Sequence, residues 1–237
     1  MGLFLRGESG RLRVPVPCYL IEHPRGRVLF DSGLHPDLRV DAEARIGAAS
    51  RIFEVEYAAG EDVASRLEGL DLDPGDVDWV VNSHLHFDHA GGNACLPNAR
   101  ILLQGAEWRA GRDPDGIAAN HYLPVDYDTG QEVVTADGEH DLFGDGSVVC
   151  VPTPGHTPGH QSLRVRLPGG DVVLTGDACY LRRSLEELHL PDVVNDEAAM
   201  LRSLGRLRAL RDAGARIFYG HDPEFWASVP QAPDAVA

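Results

Sequence analysis

Residues 83–92, which read SHLHFDHAGG, concentrate side chains that bind metal ions. An apolar run typical of a buried strand precedes them, and strand alternation sends His84 and His86 to the same side of the chain. Asp88 and His89 follow in the turn. Imidazole and carboxylate groups are the usual ligands of zinc and similar divalent ions. Three histidines and one aspartate within six residues exceed what one tetrahedral ion takes from one loop, which indicates two metal ions.

Three more side chains of ligand type follow apolar runs. His156 lies in the turn at residues 153–160 (TPGHTPGH), which proline and glycine hold rigid. His160 in the same turn is expected to pack or to hydrogen-bond nearby. Asp177 can bridge two ions, although a turn role is the more common reading of such an aspartate taken alone. His221 follows the last predicted strand.

The elements that position these side chains are predicted from apolar alternation and from turns at glycine and proline. Strands are predicted at residues 14–22, 27–30, 77–81, 100–104, 132–135, 147–151, 161–167, 171–175 and 216–219. Helices are predicted at residues 61–70, 105–112 and 195–214. In the last helix, Asn195 is the predicted N-cap, and the predicted apolar stripe is Leu201, Leu204, Leu207 and Leu210. Strand ends at one rim of stacked sheets meet in one site, so the ligand-type side chains are expected to converge.

Composition limits the classes of partner. The formal charge of −16 over 237 residues argues against nucleic acid or an anionic membrane. No apolar run approaches the length of a membrane span. The four cysteines are scattered without a C-x-x-C pair, which predicts free thiols. Since the first residues also lack the pattern of a signal peptide, a cytoplasmic protein is predicted.

Other stretches leave alternatives open. Asp31 at a predicted strand end either supports a site through hydrogen bonds or closes an Asx-type turn, and both readings are equally open. Residues 36–60 read as a long loop, of a length that often forms a lid or a binding wall, and residues 113–130 are rich in loops. No linker divides the chain, which predicts a single domain over residues 1–237.

The arrangement resembles the metallo-β-lactamase fold, an α+β fold of the αββα sandwich type with two mixed sheets, helices outside and a dinuclear site at one sheet edge. The resemblance runs from about residue 14 to residue 221. Within that superfamily the chain resembles the quorum-quenching N-acyl-homoserine lactonases in the stretches VPCYLIE, SHLHFDHAGGN, TPGHTPGHQSL, GDACY and GHD. The histidine-rich stretch is common across the superfamily, whereas TPGHTPGHQSL together with the tyrosine after the aspartate is more specific.

The resemblance implies a metal centre and a lactonase mechanism. By position it implies one ion held by His84, His86 and His156, a second ion held by Asp88, His89 and His221, and Asp177 as the bridge between them. The expected metal is zinc, and the same ligands accept iron, cobalt or manganese. A bridging water ionised near neutral pH would attack the lactone carbonyl, and Asp88 would pass the proton to the leaving alkoxide. Tyr180 would hydrogen-bond the substrate carbonyl; without the resemblance it reads as a core tyrosine.

Several competing functions share this fold. Hydrolysis of another lactone, an ester or a thioester, as in glyoxalase II, uses the same site. A zinc β-lactamase carries a cysteine ligand where this chain has Asp177, and Cys179 is offset by two positions. An RNA-processing nuclease would need a basic surface, a flavodiiron protein would need a flavin domain, and a mononuclear-iron dioxygenase would bind one metal. A metal-binding protein without activity is the remaining alternative. The expected partner is a small-molecule lactone, and related lactonases are often dimers, which suggests a homodimer.

Overall fold

The structure, a computed structural model, describes residues 4–236. The strands of this part of the chain are β1 (Tyr19–His23), β2 (Gly26–Phe30), β3 (Trp79–Val81), β4 (Arg100–Gln104), β5 (Val133–Ala136), β6 (His140–Asp141), β7 (Val148–Pro152), β8 (Gln161–Leu167), β9 (Gly170–Leu174) and β10 (Arg216–Phe218). The α-helices are α1 (Ala42–Ile46), α2 (Val63–Glu68), α3 (Gly105–Arg112), α4 (Pro114–Asn120), α5 (Arg182–Glu187), α6 (Glu197–Asp212) and α7 (Pro223–Trp226).

The strands form two five-stranded sheets, with the orders β1-β2-β3-β4-β5 and β10-β9-β8-β7-β6. In the first sheet β1 pairs antiparallel with β2, whereas β2, β3 and β4 are parallel. In the second sheet the pairs from β6 to β9 are antiparallel, and β9 and β10 are parallel. Both sheets are therefore mixed, which confirms the predicted α+β class.

The chain divides into two compact units. Unit I comprises Cys18–Leu102 and Gly111–Val134; unit II comprises Leu103–Ala110, the described residues up to Pro17 and those from Thr135 onward. No helix among residues 4–236 is both long enough and apolar enough to cross a membrane. The single domain over residues 1–237 stays a prediction.

Each unit has its own apolar core. The core of unit I is formed by buried side chains of β2, β3, α2 and the neighbouring loops: Leu29, Val63, Leu67, Val77, Val80, Leu96 and Ala99. The core of unit II lies where β9, β10, α5 and α6 pack: Val173, Ala178, Cys179, Tyr180, Leu185, Leu190, Met200, Leu204, Leu207, Ile217 and Tyr219. Burial of such apolar surface is the main stabilising contribution to each unit, and it holds the strand ends in place.

The first predicted strand, at residues 14–22, is wrong at its start. Strand β1 begins only at Tyr19. Pro15 and Pro17 have no backbone N–H to donate to a neighbouring strand, so this stretch cannot pair in a sheet interior. The remaining predicted strands agree with the structure to within two residues at each end, whereas β6 and the short helices α1, α4, α5 and α7 are absent from the sequence-based expectations.

The long helix α6 needs two corrections. Its N-cap is Asp196, whose side chain accepts a hydrogen bond from the Ala199 N–H, and not Asn195. Leu201 is 41% exposed, so it does not belong to the buried stripe. Residues three apart rotate by about 60° per step around a helix of 3.6 residues per turn, and the four leucines therefore cover about half the circumference. The buried face is instead formed by Ala199, Met200, Ser203, Leu204 and Leu207.

The cysteines agree with the prediction of free thiols. Burial raises the pKa of Cys150 to about 12. Burial, with a smaller contribution from the Asp31 carboxylate, raises the pKa of Cys18 to about 11. A thiol with such a pKa is protonated at neutral pH, so neither residue is suited to act as a nucleophile.

Candidate metal centre

Unit I carries four ligand-type side chains in the loop that follows β3. His84 Nε2 lies 2.9 Å from His86 Nδ1, so the two imidazoles face the same region, as strand alternation predicts. The ring of His89 lies 4.2 Å from that of His84. Asp88 Oδ2 lies 3.6 Å from His89 Nε2, and the Asp88 side chain is 21% exposed. The loop therefore presents two neighbouring pairs of metal-binding groups.

Each imidazole of this loop uses one ring nitrogen to bind the protein. His86 Nε2 donates to the Asn120 carbonyl oxygen at 2.8 Å. His89 Nδ1 lies 2.8 Å from Asp31 Oδ2, and His84 Nδ1 lies 2.9 Å from Ser83 Oγ. Because a neutral imidazole carries only one N–H, His86 presents its lone pair at Nδ1 and His89 presents it at Nε2. Anchoring of one ring nitrogen is the usual arrangement for histidines that bind metal through the other.

Asp31 supports this loop and does more than close a turn. Its side chain is almost completely buried, and its Oδ1 accepts a hydrogen bond from the Ser83 N–H at 2.6 Å. Its Oδ2 accepts from the Ser83 hydroxyl at 2.8 Å and also faces His89. Of the two readings open from the sequence, the structure favours the supporting carboxylate.

We expect Asp31→Asn to weaken binding of a metal ion by about 10- to 100-fold, the usual cost of losing a group that orients a ligand histidine. In the asparagine variant an NH₂ group would replace one carboxylate oxygen and would face groups that now donate hydrogen bonds to that oxygen. Competition with a chelating dye would measure the affinity. Asp71→Asn is the matched control, because Asp71 is exposed and shares the left-handed backbone conformation (φ 59° beside 58° for Asp31). Equal metal affinity of the Asp31 and Asp71 variants would contradict the supporting role.

The two glycines of the loop allow close backbone contact. A Cβ at Gly91 would lie 2.3 Å from the Phe87 carbonyl oxygen, and a Cβ at Gly92 would lie 2.2 Å from the Ser32 carbonyl oxygen. The Gly92 N–H donates to the Gly33 carbonyl at 3.1 Å. The pair of glycines in the motif therefore has a steric cause, since the loop packs directly against the chain that follows β2.

Unit II carries three more ligand-type side chains, each just after a strand. His156 follows β7, Asp177 follows β9 and His221 follows β10. Asp177 Oδ1 lies 2.9 Å from His221 Nε2, and Asp177 Oδ2 lies 3.3 Å from His156 Nε2. The two carboxylate oxygens thus face two different imidazoles, which is the arrangement that a bridging carboxylate needs.

The hydrogen bonding of His221 tests whether a cation fits here. His221 Nδ1 donates to the Pro15 carbonyl oxygen at 2.8 Å, so in a neutral ring Nε2 carries the lone pair. That lone pair faces the Asp177 carboxylate, and two acceptors at hydrogen-bond distance repel each other unless positive charge lies between them. A divalent ion supplies that charge without protonating a buried ring. The donor set of unit II therefore fits a metal ion.

His160 agrees with its predicted supporting role. Its Nδ1 lies 2.9 Å from Thr153 Oγ1, and its Nε2 accepts a hydrogen bond from the Asp177 N–H at 3.0 Å. Because both ring nitrogens bind the protein, His160 orients Asp177 and is not itself a ligand. Cys179 donates its thiol to the Leu181 carbonyl oxygen at 3.4 Å, which gives no support to a cysteine ligand of the β-lactamase kind.

Tyr180 lies beside the unit II ligands. Its hydroxyl is 3.0 Å from His156 Nδ1, and its ring stacks on His221 with centroids 5.8 Å apart. The side chain is mostly buried, and Phe4 covers one edge of the ring at 5.3 Å. The hydroxyl is thus held next to a ligand histidine, where it can donate a hydrogen bond to a reacting group.

An ion pair in unit I lies near Asp88. Arg45 of α1 pairs with Asp126, whose side chain is fully buried. Burial raises the pKa of Asp126 to about 6; Arg45 opposes this shift, and the Asp88 charge adds to it. The pair anchors α1, and with it residues 36–60, to the short helical turn at Pro124–Asp126. Residues 36–60 are consequently packed in part and do not form a continuous loop.

The seven predicted ligand residues each lie in a loop that follows a strand. Unit I holds four of them and unit II holds three; together they are five imidazoles and two carboxylates, a set whose chemistry fits a dinuclear metal site. Sequence reasoning missed groups that hydrogen-bond these side chains directly, namely Ser83, Asn120 and Pro15, and it missed Thr153, which bonds the supporting His160. Ser83 and Thr153 stand inside the quoted motifs and could have been noticed, whereas Asn120 and Pro15 carry no local signal.

Comparison with known proteins agrees with this chemistry. A family model described as the metallo-beta-lactamase superfamily matches residues 11–221. N-acyl homoserine lactonase AttM of Azorhizobium caulinodans is 35% identical over 235 residues, which cover 96% of this chain and 89% of that protein. N-acyl homoserine lactonase of Bacillus cereus is 33% identical over 224 residues, covering 90% and 83%. A solved N-acyl homoserine lactone hydrolase with N-hexanoyl-L-homoserine bound at its catalytic metal centre has a TM-score of 0.86 at 28% identity, covering 99% and 93%.

Proposed function

Because this chain belongs to the metallo-β-lactamase superfamily and is a metal-dependent hydrolase, we propose that it opens the lactone ring of N-acyl homoserine lactones. The predicted family resemblance and fold class are confirmed. The observation that carries the proposal is the complete set of seven ligand-type side chains in a chain that resembles lactonases along nearly its whole length. The curated relatives are named N-acyl homoserine lactonases, and the substrate class is transferred from them as part of the proposal.

The proposed ligand sets are those that the family resemblance implies. One ion is held by His84, His86 and His156, the other is held by Asp88, His89 and His221, and Asp177 binds both. The pairing of His84 with His86 and the two-sided contacts of Asp177 support this division. Zinc is the proposed metal, because imidazole and carboxylate are among its usual ligands; iron, cobalt and manganese accept the same ligands.

Lactone hydrolysis here would depend on the metal ions and on three side chains: Tyr180, Asp88 and Asp177. Two divalent ions bound here supply Lewis-acid activation of the lactone carbonyl and lower the pKa of a water molecule. Tyr180 donates its hydroxyl to the oxygen on which negative charge develops. Asp88, whose side chain is 21% exposed, would take up the proton that the attacking water releases and pass it to the leaving alkoxide. Asp177, whose N–H donates to His160, would bind both ions.

The acyl chain of the substrate needs an apolar surface, and unit I offers one beside the metal-binding loop. Phe53 packs on Phe87 of the loop, with ring centroids 5.6 Å apart. Phe53 and its neighbour Ile52 both remain exposed. Burial of a methylene group contributes about 0.8 kcal/mol, so such side chains would favour longer acyl chains. On this basis we assign residues 36–60 to acyl-chain selection. Residues 113–130 are the alternative candidate for contacts with the acyl chain.

The proposal extends to location and assembly. A cytoplasmic location is supported by the four free cysteines, which suit a reducing compartment. The net charge of −16 supports a small-molecule substrate over nucleic acid or membrane. A homodimer is proposed by analogy with related lactonases.

The test is ring opening of short- and long-chain N-acyl homoserine lactones by the purified protein, with the metal content of the same sample measured by mass spectrometry. We expect turnover with about two ions per chain. Two ions without lactone turnover would overturn the substrate assignment and favour another lactone, an ester or a thioester, which the same preparation would reveal. One ion per chain would overturn the dinuclear site, and nitrocefin hydrolysis would indicate a β-lactamase.

A further inference from the structure

The turn at residues 153–160 carries a proposed ligand, His156, and the supporting residue His160. On one side it is fastened to the start of α6. The Asp196 N–H donates to the Gly155 carbonyl oxygen at 2.9 Å, and the Asn195 N–H donates to the His156 carbonyl oxygen at 3.3 Å. A Cβ at Gly155 would lie 2.3 Å from the Met200 nitrogen, so the turn is in direct contact with the helix backbone.

On the other side the turn is fastened to α3 by Glu107. The Glu107 side chain is fully buried in unit II. Its Oε2 accepts hydrogen bonds from the Thr157 hydroxyl and from the Gly159 N–H, each at 2.9 Å. A Cβ at Gly159 would lie 2.1 Å from the Glu107 nitrogen, which shows how closely the turn packs on the helix start.

The Glu107 carboxylate loses its hydration on burial, and its hydrogen bonds must compensate for that loss. An ionised carboxylate removed from water is strongly unfavourable unless it is paired or fully hydrogen-bonded. Both Glu107 bonds shown here go to the turn, one to each side of Pro158. They thereby hold the residue after His156 and the residue before His160. Through His160, the same contacts bear on Asp177, whose N–H donates to that ring.

We propose that Glu107 is a positioning residue for metal binding: its carboxylate fixes the turn at residues 153–160 and so sets the orientation of His156 and, through His160, of Asp177. This inference rests on the proposed ligand roles of His156 and Asp177. Glu107 is fully buried and is distinct from the proposed catalytic pair Asp88 and Tyr180. Its effect is therefore expected in metal affinity first, and in turnover only as a consequence.

The experiment compares Glu107→Ala with Glu107→Gln in the full chain. We expect the alanine variant to bind zinc about 10- to 100-fold more weakly, most of all at the ion that His156 is proposed to hold, as for other groups that orient a ligand. The glutamine variant is expected to stay near the wild type, because one amide oxygen can take the place of Oε2 and accept both bonds. Zinc affinity is measured by competition with a chelating dye, independently of activity.

A second pair of variants covers the case in which Glu107→Ala does not fold. Thr157→Val removes one donor to Glu107 and keeps the side-chain volume, whereas Thr157→Ser keeps the hydroxyl and is the matched control. We expect zinc affinity to fall for valine and not for serine. Since both residues act through one contact, the losses in Glu107→Ala and Thr157→Val should not add in the double variant.

The outcomes separate this inference from the proposed function. If the wild type binds two ions and His156→Ala loses one, the ligand assignment stands. In that case, Glu107→Ala and Thr157→Val variants that bind zinc as tightly as the wild type would overturn the positioning role alone. A purely structural role would lower the melting temperature of the metal-free protein and leave zinc affinity unchanged. If His156→Ala keeps two ions, the ligand assignment itself is overturned.

Discussion

Replacing Asp177 by asparagine is expected to lower kcat/KM for lactone ring opening by more than about 100-fold, beyond the 10- to 100-fold that loss of an orienting group costs. Each oxygen of the carboxylate faces a different histidine, at 2.9 Å and 3.3 Å. An amide keeps one oxygen ligand, loses the second and loses the negative charge that binds two cations. The metal content is expected to fall together with activity.

The control for this prediction is Asp171→Asn on the same strand, β9. Asp171 pairs with Arg164 at 2.8 Å near the surface, where an ion pair contributes little to stability. Its substitution is expected to leave kcat/KM and metal content unchanged. Steady-state kinetics and metal analysis on both variants check the prediction, and an Asp177→Asn variant that retains two ions and full activity would refute the bridging role.

The second large effect is expected for Gly92→Ala. The new Cβ would lie 2.2 Å from the Ser32 carbonyl oxygen and 3.0 Å from Val63 Cγ1, and the first of these neighbours is backbone that cannot move away cheaply. We expect the free energy of unfolding to fall by about 3 kcal/mol or more, at the upper end for overpacking. Because the strained segment adjoins the metal-binding loop, metal affinity is expected to fall as well.

Gly205→Ala is the matched control for this substitution. Gly205 lies within α6, and a Cβ there would have no neighbour within 4 Å. Alanine is the better helix former by about 1 kcal/mol, so this variant is expected to be more stable than the wild type. Denaturant unfolding of both variants gives the comparison. A Gly92→Ala variant as stable as wild type would show that the chain near Ser32 adjusts, contrary to the packing described.

Local pattern accounts well for the elements that carry the site. Strands β3, β7, β9 and β10 are short apolar runs. Each ends close to the point where glycine, histidine or aspartate follows the apolar residues. Helix α6 is correct in existence and approximate length, but its exposed Leu201 shows that leucine content alone does not identify the buried face. That face depends on which side of the helix meets the sheet, and this is a property of packing.

The start of β1 shows another limit of local pattern. Residues 14–18 alternate in the manner of a strand, yet two prolines remove the donors that pairing needs. The same stretch then takes a role that no spacing rule predicts, because the Pro15 carbonyl oxygen accepts the His221 Nδ1–H from 206 positions away.

The sequence by itself determined the ligand chemistry, the strand-end placement of the seven ligand-type residues and the family, because these depend on residue type and short-range spacing. Only the tertiary structure decided which nitrogen each histidine presents and which groups hold it. Asp31, Asn120, Pro15 and Glu107 act across long stretches of chain, and three of them are ordinary residues in their local context. A hydrogen bond between residues far apart in the chain produces no spacing pattern in the sequence. The orientation of the ligand side chains can therefore be read only from the folded structure.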